Sequence, residues 1–420
     1  MERMRITKST LATYVLFLVW FILIILNLKD TDSVIFLCIW GILISIGIVY
    51  ISCIRSKLEL RLSKIQFWWL IFVVYSFIVS FINQKLGSNY INLSRNIVSF
   101  FIAFLALYIF TRFCNSLKFI EIYRDFFAFC SILGIIEIIT KRSLFVNWMT
   151  SSNSIELFNT FGFNSGLYRV TLFFYHPIYY GILLTIFLIF IMLKPYKSKV
   201  LQYLFVFLGI INLIYTQSRS SWIALVCCLL FLLLRNFKQV NKIQINLLIR
   251  SFYFIIGIIL ALFIVINLFP QLTSNLLNIF SSRIGEATNN TTNARTANWA
   301  LVQYSNTIFL KLFGGGDGFA TTMLHLHPQF MGWTQAVDNQ YLTFYMDYGI
   351  LGIALFLMFI LNIFKTFMST EDKSKLAISL AIMAIFISAF FYEVYFQNEV
   401  NNLLFILICL LNSNSGKVFK

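Results

Sequence analysis

The chain has 420 residues, of which 60% are hydrophobic and only 11% are charged, and its mean hydropathy is +0.84. A soluble domain carries roughly a quarter charged residues, so the composition excludes a soluble globule. The formal net charge of +16 would fit nucleic-acid binding, but the basic residues lie between apolar runs and form no stripe or aromatic-interleaved patch. No nucleic-acid partner is therefore predicted.

The apolar residues occur in runs close to the ~20 residues that cross the hydrocarbon core of a bilayer. Only helices and closed barrels span membranes, and these runs are too long for barrel strands. The sequence therefore predicts an all-α, polytopic membrane protein with one integral membrane domain over 1–420 and about twelve spans. The predicted spans lie at about 11–28, 33–54, 66–84, 96–113, 126–140, 170–193, 200–216, 221–234, 251–269, 339–364, 376–392 and 400–412.

The positions of Lys and Arg predict the orientation, because positive residues are retained on the cytoplasmic side of a membrane. With the N-terminus inside, most of the 32 Lys and Arg residues fall in cytoplasmic segments. The basic segment from Arg55 to Lys64 is typical of such a loop. We therefore expect a multi-pass protein of the inner (cytoplasmic) membrane with both termini in the cytoplasm.

The longest polar stretch, residues 270–338, is an extracytoplasmic loop in this orientation. Loops of more than ~15 residues are usually functional or disordered. Apolar residues recur in the loop at helix-like intervals, which predicts short amphipathic helices on the outer surface. These residues are Leu276, Leu277, Phe280 and Ile284, followed by Trp299, Leu301 and Tyr304. The glycines of Gly314–Gly318 predict a sharp chain reversal before the next span.

A polar turn, Thr216–Trp222, separates two apolar runs and contains Arg219 between Ser218 and Ser220. An Arg at the membrane edge is costly unless it is paired or hydrated. One interpretation is that Arg219 extends to the outer head groups of the lipids. The other is that its guanidinium group binds a phosphate or diphosphate, with the serine hydroxyls as further ligands.

The sixth predicted span begins near Arg169 and contains His176 and Pro177. On a helix, Arg169 and His176 would lie two turns apart on approximately one face, with Pro177 loosening the helix. A histidine inside a membrane is often only a hydrogen-bonded packing residue. A buried histidine beside Arg and Tyr also suits a polar substrate, so both interpretations stay open.

Asp338 stands at the start of the tenth predicted span. It fits the N-cap of that helix, and it also fits a general base that accepts a proton from a sugar hydroxyl where the outer loop meets the membrane. His325 and His327 lie nearby in a Leu-His-Leu-His-Pro segment. Two histidines with this spacing suit a metal ion, but no third ligand accompanies them, so no metal site is predicted.

No Walker loop, GxGxxG loop or DxD-like paired-carboxylate element stands out in the sequence. This pattern argues against an ATP-driven pump and against a metal-dependent nucleotide-sugar transferase. We therefore expect no cofactor, and we expect the energy for any reaction to come from the substrate.

Several short motifs follow one another along the second half of the chain. A basic segment followed by His-Pro and Gly, Arg169–Gly181, precedes a Thr-x-Ser-Arg-Ser turn, Thr216–Ser220. Their order and their position on the outer side restrict the families that the chain can resemble.

A large outer loop comes next, with Arg295 and Trp299 a few residues apart. It contains a Phe-Gly-x-Gly turn, Phe313–Gly318, and ends with Asp338–Asn339 before a helix with Gly-x-x-Gly, Gly349–Gly352. In this order the motifs resemble the O-antigen ligase and polymerase family, the integral membrane enzymes that transfer or polymerise lipid-linked glycans. The resemblance covers about 169–352, nearly half of the chain.

The resemblance implies a metal-independent transfer at the outer membrane face, in which a polyprenyl-diphosphate-linked glycan gives its sugar to an acceptor hydroxyl. Guanidinium groups would stabilise the leaving diphosphate, which makes Arg219 and Arg295 the predicted catalytic arginines. Ligases of the family tend to place His where this chain has Asp338, so Asp338 is the predicted general base, with His325 or His327 as alternatives. The predicted substrate-binding residues are Arg169, His176, Arg283, Ser218, Ser220, Trp299, Asn339, His325 and His327.

The carboxylate of Asp338 in place of a histidine favours a polymerase of O-antigen, capsule or exopolysaccharide over a ligase that attaches finished glycan to a lipid or protein. A flippase or transporter of a lipid-linked sugar is the alternative from another class. Transporters commonly contain internal repeats, which are not apparent here. The expected partners are the polyprenyl-diphosphate-linked glycan and membrane lipid, together with a flippase and a chain-length regulator of the same pathway.

Overall fold

The computed structural model describes residues 8–28, 39, 41–43, 62–83, 101–145, 168–174, 176–238, 299–327, 337–394 and 398–411. Regular structure in these residues is helical throughout, which confirms the all-α prediction. A 3-10 turn at Ala300–Tyr304 accompanies the α-helices. These are α1 (Lys8–Leu28), α2 (Lys64–Ile82), α3 (Phe101–Phe113), α4 (Ser116–Thr140), α5 (Pro177–Leu193), α6 (Lys199–Tyr215), α7 (Arg219–Lys238), α8 (Ile308–Phe313), α9 (Phe319–Leu326), α10 (Gln340–Ser369), α11 (Lys373–Ala389) and α12 (Asn398–Leu410).

Helices α1, α2 and α10 are long and apolar enough to cross a membrane, among the helices within the described ranges. Helices α3, α5, α6 and α12 are apolar but shorter. The structure therefore supports a membrane protein, and the number of spans stays a prediction. The predicted span at 251–269 lies outside the described residues, as does most of the one at 33–54.

Local signals in the sequence explain where the helices begin. At α2, Ser63 Oγ accepts a hydrogen bond from the Gln66 N–H at 3.2 Å, and Gln66 Oε1 accepts one from the Ser63 N–H at 3.1 Å. This reciprocal capping box satisfies two N–H groups that the first turn leaves unpaired. Asp372 caps α11 more simply, by accepting a 2.8 Å hydrogen bond from the Ser374 N–H.

The described residues belong to two compact units. Unit 1 comprises Met1–Tyr123 and Asn293–Lys420, and unit 2 comprises Arg124–Thr292. The predicted motifs are therefore divided between the two units.

Unit 1 is built around α10, which packs against α2, α8, α9 and α11. The interface of α10 with α2 is largely aromatic, since Trp69 and Phe72 of α2 contact Phe359, Phe344 and Phe356 of α10 with ring centroids 4.9 to 5.3 Å apart. Contacts of this kind add to the free energy gained by burying the rings.

Helix α10 is interrupted at Gly349, whose φ of 66° and ψ of −169° are non-helical. A Cβ atom at this position would lie 2.4 Å from the Leu312 carbonyl oxygen, so only glycine allows α8 to approach the break. Gly314, Gly316 and Gly318 all have φ between 81° and 91°, a backbone conformation that favours glycine and suits the predicted chain reversal.

Unit 2 is built around α5, which packs against α6 and α7 and is buried over most of its length. A helix that is hydrophobic on all sides belongs at the centre of a bundle, and α5 has this composition. Phe127 of α4 contacts Phe187 of α5 and Phe174 just before it, with ring centroids 6.4 and 5.8 Å apart.

Candidate functional site

The Thr216–Ser220 turn of unit 2 joins α6 to α7, as the sequence predicted. Helix α6 ends at Tyr215 and α7 begins at Arg219. Between them Gln217 adopts a φ of 54°, which is uncommon for a residue other than glycine. Thr216 and Gln217 are buried, whereas Arg219 is partly exposed. The turn is therefore a fixed part of the unit 2 core that leaves one guanidinium group near the surface.

The serine hydroxyls of this turn form a buried network. Ser218 Oγ lies 3.1 Å from Ser220 Oγ and 2.8 Å from Ser221 Oγ. Gly181 of α5 lies against them, and a Cβ atom there would be 2.7 Å from Ser221 Oγ. Gly181, the glycine that follows His-Pro in the sequence, thus lacks the side chain that would keep α5 from packing directly on the turn.

The segment 168–174, which precedes α5, is held against the same turn. The Arg169 Nε–H donates to the Thr216 carbonyl at 3.0 Å, and the Val170 N–H donates to the Tyr215 carbonyl at 3.2 Å. Gln217 Nε2 returns a hydrogen bond to the Tyr168 carbonyl at 3.2 Å. Because Arg169 is buried, its charge is placed beside the turn by backbone contacts rather than left to move in solvent.

Glu137 of α4 holds the other side of this segment, and sequence reasoning missed it. Its Oε1 accepts hydrogen bonds from Tyr168 Oη at 2.8 Å, the Thr171 N–H at 2.9 Å and the Leu172 N–H at 3.3 Å. Leu172 has a φ of 54°, so the backbone here is strained. The available signal was the acid itself, since a carboxylate inside an apolar run is rare without a role.

The structure corrects the prediction that Arg169 and His176 lie on one helix. Helix α5 begins at Pro177, not near 170, and His176 is its N-cap, whose Nδ1 accepts from the Ile178 N–H at 3.1 Å. The physical reason is that proline disfavours helical geometry in the residue before it and fits the first helical position. Arg169 and His176 still interact electrostatically.

The structure also corrects the predicted cap of α10 in unit 1. The N-cap is Asn339, whose Oδ1 accepts from the Tyr341 and Leu342 N–H groups at 3.0 and 3.2 Å. Asp338 is one residue further out, is partly exposed and does not serve as the cap. Asp and Asn are both good caps, so sequence alone does not separate neighbours of these types. The proposed roles of Asn339 in substrate binding and of Asp338 as a base stay predictions.

Glu393, between α11 and α12, is a further acid of unit 1 that sequence reasoning did not single out. Its Oε1 accepts a short hydrogen bond from Thr343 Oγ1 of α10. Burial raises the pKa of Glu393 to about 8, and the nearby charge of Asp338 acts in the same direction. Glu393 is therefore mostly protonated at neutral pH.

The Gly314–Gly318 loop is anchored by two acids of unit 1. The buried carboxylate of Asp347 accepts from the Gly318 N–H at 3.2 Å and the Ala320 N–H at 2.8 Å, so it caps α9 from another helix. Asp317, in the loop itself, accepts from Tyr348 Oη at 3.4 Å. Burial raises the pKa of Asp317 to about 6.

The described part of the outer loop places the remaining predicted residues in different surroundings. His327 stacks on Tyr304 with ring centroids 4.0 Å apart and an interplanar angle of 12°. His325 is exposed on α9, and Trp299 is 49% exposed before the 3-10 turn. The predicted amphipathic segment around Leu301 is a 3-10 turn whose Leu301 side chain is buried.

The predicted site residues are therefore only partly assembled by the described structure. It brings Arg169 to the turn of unit 2 that contains Ser218, Arg219 and Ser220. His176 lies at the start of α5, the helix whose Gly181 packs on this turn. Asp338 and Asn339 belong to unit 1. Arg283 and Arg295, and the predicted helix at 276–284, lie outside the described residues.

Comparison with known proteins gives one family match. Residues 204–357 match the family model described as O-antigen ligase. The matched region includes the Thr216–Ser220 turn, the Gly314–Gly318 loop and the first part of α10. No curated protein matches the chain at a significant level.

Proposed function

We propose that the chain, whose residues 204–357 match the O-antigen ligase family model, is a polysaccharide polymerase of the O-antigen polymerase and ligase family. It joins polyprenyl-diphosphate-linked oligosaccharide repeat units of O-antigen, capsule or exopolysaccharide at the outer face of the cytoplasmic membrane. The observation that carries this proposal is the buried Arg169, fixed to the Thr216 carbonyl beside the serine hydroxyls and Arg219. Guanidinium groups and hydroxyls in this arrangement suit a diphosphate.

The proposed reaction is a glycosyl transfer. An acceptor hydroxyl of one repeat unit attacks the anomeric carbon of the other, and the bond from that carbon to the diphosphate oxygen breaks. The diphosphate leaves with the bonding electron pair, and the acceptor proton passes to a general base. Arg219 and Arg169 offset the negative charge that grows on the leaving diphosphate, and Arg295 and Arg283 are proposed to assist.

Asp338 is the proposed base. It is partly exposed at the start of α10, and Asn339 already caps that helix, so the carboxylate has no capping task. His325 and His327 are the alternatives. The exposed His325 is the better placed of the two to meet an acceptor, because the His327 ring is stacked on Tyr304.

Two other functions share parts of this picture. A ligase would use the same donor and leaving group but transfer finished glycan to a lipid or protein acceptor. A flippase would move the lipid-linked sugar without breaking a bond. The family description favours an enzyme that transfers glycan over a flippase.

The proposed location is the cytoplasmic membrane, with many spans and both termini inside. The apolar helices α1, α2 and α10 support the membrane location, and the distribution of Lys and Arg supports the orientation. The proposed partners are the lipid-linked glycan, a flippase that delivers it and a regulator of chain length.

Glycan length in a strain that lacks the protein tests the proposal. We expect single repeat units on the carrier lipid or the cell surface, with long chains restored by the wild-type chain. Long chains stranded on the carrier lipid would instead identify a ligase, and lipid-linked units retained on the cytoplasmic face would identify a flippase.

A further inference from the structure

Helix α8 of the extracytoplasmic loop has an unusual surface. None of its six residues is buried, and its apolar side chains are largely exposed, with Ile308 at 78% and Phe309 at 44%. Leu312 and Phe313 are also exposed, and Lys311 is the single charge of the helix. A contiguous apolar surface of this kind on a polar loop indicates contact with a membrane or a partner rather than with water.

The position of α8 along its neighbours favours the membrane. Tyr75 Oη of α2 donates to the Phe313 carbonyl at 3.3 Å and to the Tyr348 carbonyl at 2.9 Å. Tyr75 lies about 10 Å along the helix axis from the Ile82 end of α2, at 1.5 Å per residue. The end of α8 therefore contacts α2 well inside a helix that is long and apolar enough to span a bilayer.

The contact of α8 with α10 indicates the same depth of α8 in the membrane, independently of its contact with α2. The Leu312 carbonyl lies against Gly349, and Gly314 lies against the Asp347 carbonyl. Gly349 is about 13 Å along the axis from the Gln340 end of α10, which is also a candidate span. Both candidate spans thus contact α8 at residues that lie inside the span, about 10 and 13 Å from its end, rather than at the end itself.

The Gly314–Gly318 loop has the hydrogen bonding that such a depth requires. Irregular backbone is tolerated at membrane depth only where protein groups satisfy its polar atoms. Every backbone N–H from Gly314 to Ala320 donates to a protein acceptor. In chain order the acceptors are the Leu310, Met346 and Asp347 carbonyls, Ser80 Oγ, Asp347 Oδ2, the Gly316 carbonyl and Asp347 Oδ1.

The break in α10 supplies part of this pairing. The Met346, Asp347 and Tyr348 carbonyls immediately precede the non-helical Gly349, and they accept from Gly315, Gly316 and Tyr75. On the loop side, the Gly314 carbonyl accepts from Asn83 Nδ2 at 3.2 Å. Carbonyls at the break in α10 therefore accept hydrogen bonds from the irregular loop and from Tyr75.

We propose that α8 and the Gly314–Gly318 loop form a re-entrant element that enters the outer leaflet, with Ile308, Phe309 and Leu312 in contact with lipid acyl chains. The apolar surface continues onto the exposed side chains of the two spans that hold α8. These are Phe77, Ile78 and Phe81 of α2 and Ile350 and Leu351 of α10. Lys311 extends from this element towards the lipid head groups. The proposal does not depend on the proposed catalytic activity.

Spin labels attached to single introduced cysteines in lipid nanodiscs test the proposal. The sites are Ile308→Cys and Leu312→Cys on α8, Phe81→Cys as the lipid-facing reference on α2, and Gln303→Cys as the exposed polar reference of the outer loop. The parent chain, labelled in parallel, gives the contribution of the native cysteines. Two collision rates are measured for each label. One is the rate with oxygen, which concentrates in lipid, and the other is the rate with a water-soluble nickel chelate.

We expect both α8 labels to show an oxygen-to-nickel ratio close to that of the Phe81 label and several-fold above that of the Gln303 label. A ratio equal to that of the Gln303 label at both α8 sites would place the helix in water and overturn the proposal. Low collision rates with both reagents would show that protein, such as a second copy of the chain, covers α8. This result would also overturn the proposal. Because two exposed sites are labelled, misfolding of one variant leaves the other decisive.

Discussion

Arg169 and Arg219 differ in how the protein holds them. Arg169 is buried and tied to the Thr216 carbonyl, so its charge has a fixed direction. Arg219 is the first residue of α7, where the positive end of the helix dipole disfavours a cation. An anion bound at this turn would interact favourably with both guanidinium groups and with the helix end.

Replacing Arg219 with Ala is the first prediction at the residue scale. We expect polymer formation to fall by about 10²–10³, the effect of removing one donor that stabilises developing charge. The matched control is Arg142→Ala, which removes an exposed arginine of the same unit and should leave activity near that of the wild type. Glycan length and membrane abundance are measured together, and full-length polymer from Arg219→Ala would remove the proposed diphosphate contact.

The effects of substituting Asp338 and Asn339 can be distinguished, because Asn339 and not Asp338 is the N-cap of α10. Asp338→Asn should lower turnover by about 10²–10⁴, the usual contribution of a general base, and leave thermal stability unchanged. Asn339→Ala should lower the free energy of unfolding by about 1 kcal/mol through loss of the cap. Turnover rates and melting temperatures in detergent check both. Near-normal turnover of Asp338→Asn would transfer the role of base to another residue.

At the scale of elements, Glu137 is expected to hold the 168–174 segment in place. Glu137→Ala leaves two buried N–H groups without their acceptor, so it should lower the free energy of unfolding by about 3 kcal/mol. Glu137→Gln keeps an acceptor oxygen and should lose less. Glu121→Ala is the control on the same helix, since it removes a partly exposed ion pair worth below ~1 kcal/mol. Equal melting temperatures for all three variants would contradict this role.

The Gly314–Gly318 loop allows a second prediction at this scale. Gly318→Ala should cost about 1–2 kcal/mol, because φ is 81° but nothing lies within 4 Å of the added Cβ. Gly314→Ala should cost more, because it adds the same strain and a Cβ 2.3 Å from the Asp347 carbonyl oxygen. Thermal unfolding in detergent compares the two. If Gly318→Ala proves the more damaging, the packing of the loop on α10 is not as described.

Sequence reasoning predicted the elements better than their contacts. The length of an apolar run is a local property, so the sequence predicts helices such as α1, α2 and α10 within a few residues. The start of α5 differs from the prediction because Pro177 disfavours helical geometry in His176, so the helix begins at Pro177 and not near residue 170. Glu137 and Asp347 bind backbone groups about 30 residues away in the chain, and such pairings leave no periodic pattern in the sequence.

At the scale of the whole molecule, the family match spans both units, since residues 204–357 begin in unit 2 and end in unit 1. The Thr216–Ser220 turn lies in one unit and Asp338 in the other.

The purified chain in detergent, incubated with a polyprenyl-diphosphate-linked repeat unit and EDTA, tests the central claim most directly. Mass spectrometry of the glycan should show products of two or more repeat units and released polyprenyl diphosphate, because the donor supplies the energy and no sealed bilayer or divalent metal is required. Repeat units that stay unextended under these conditions, while the wild-type chain is folded and binds the substrate, would contradict the assignment as a polymerase.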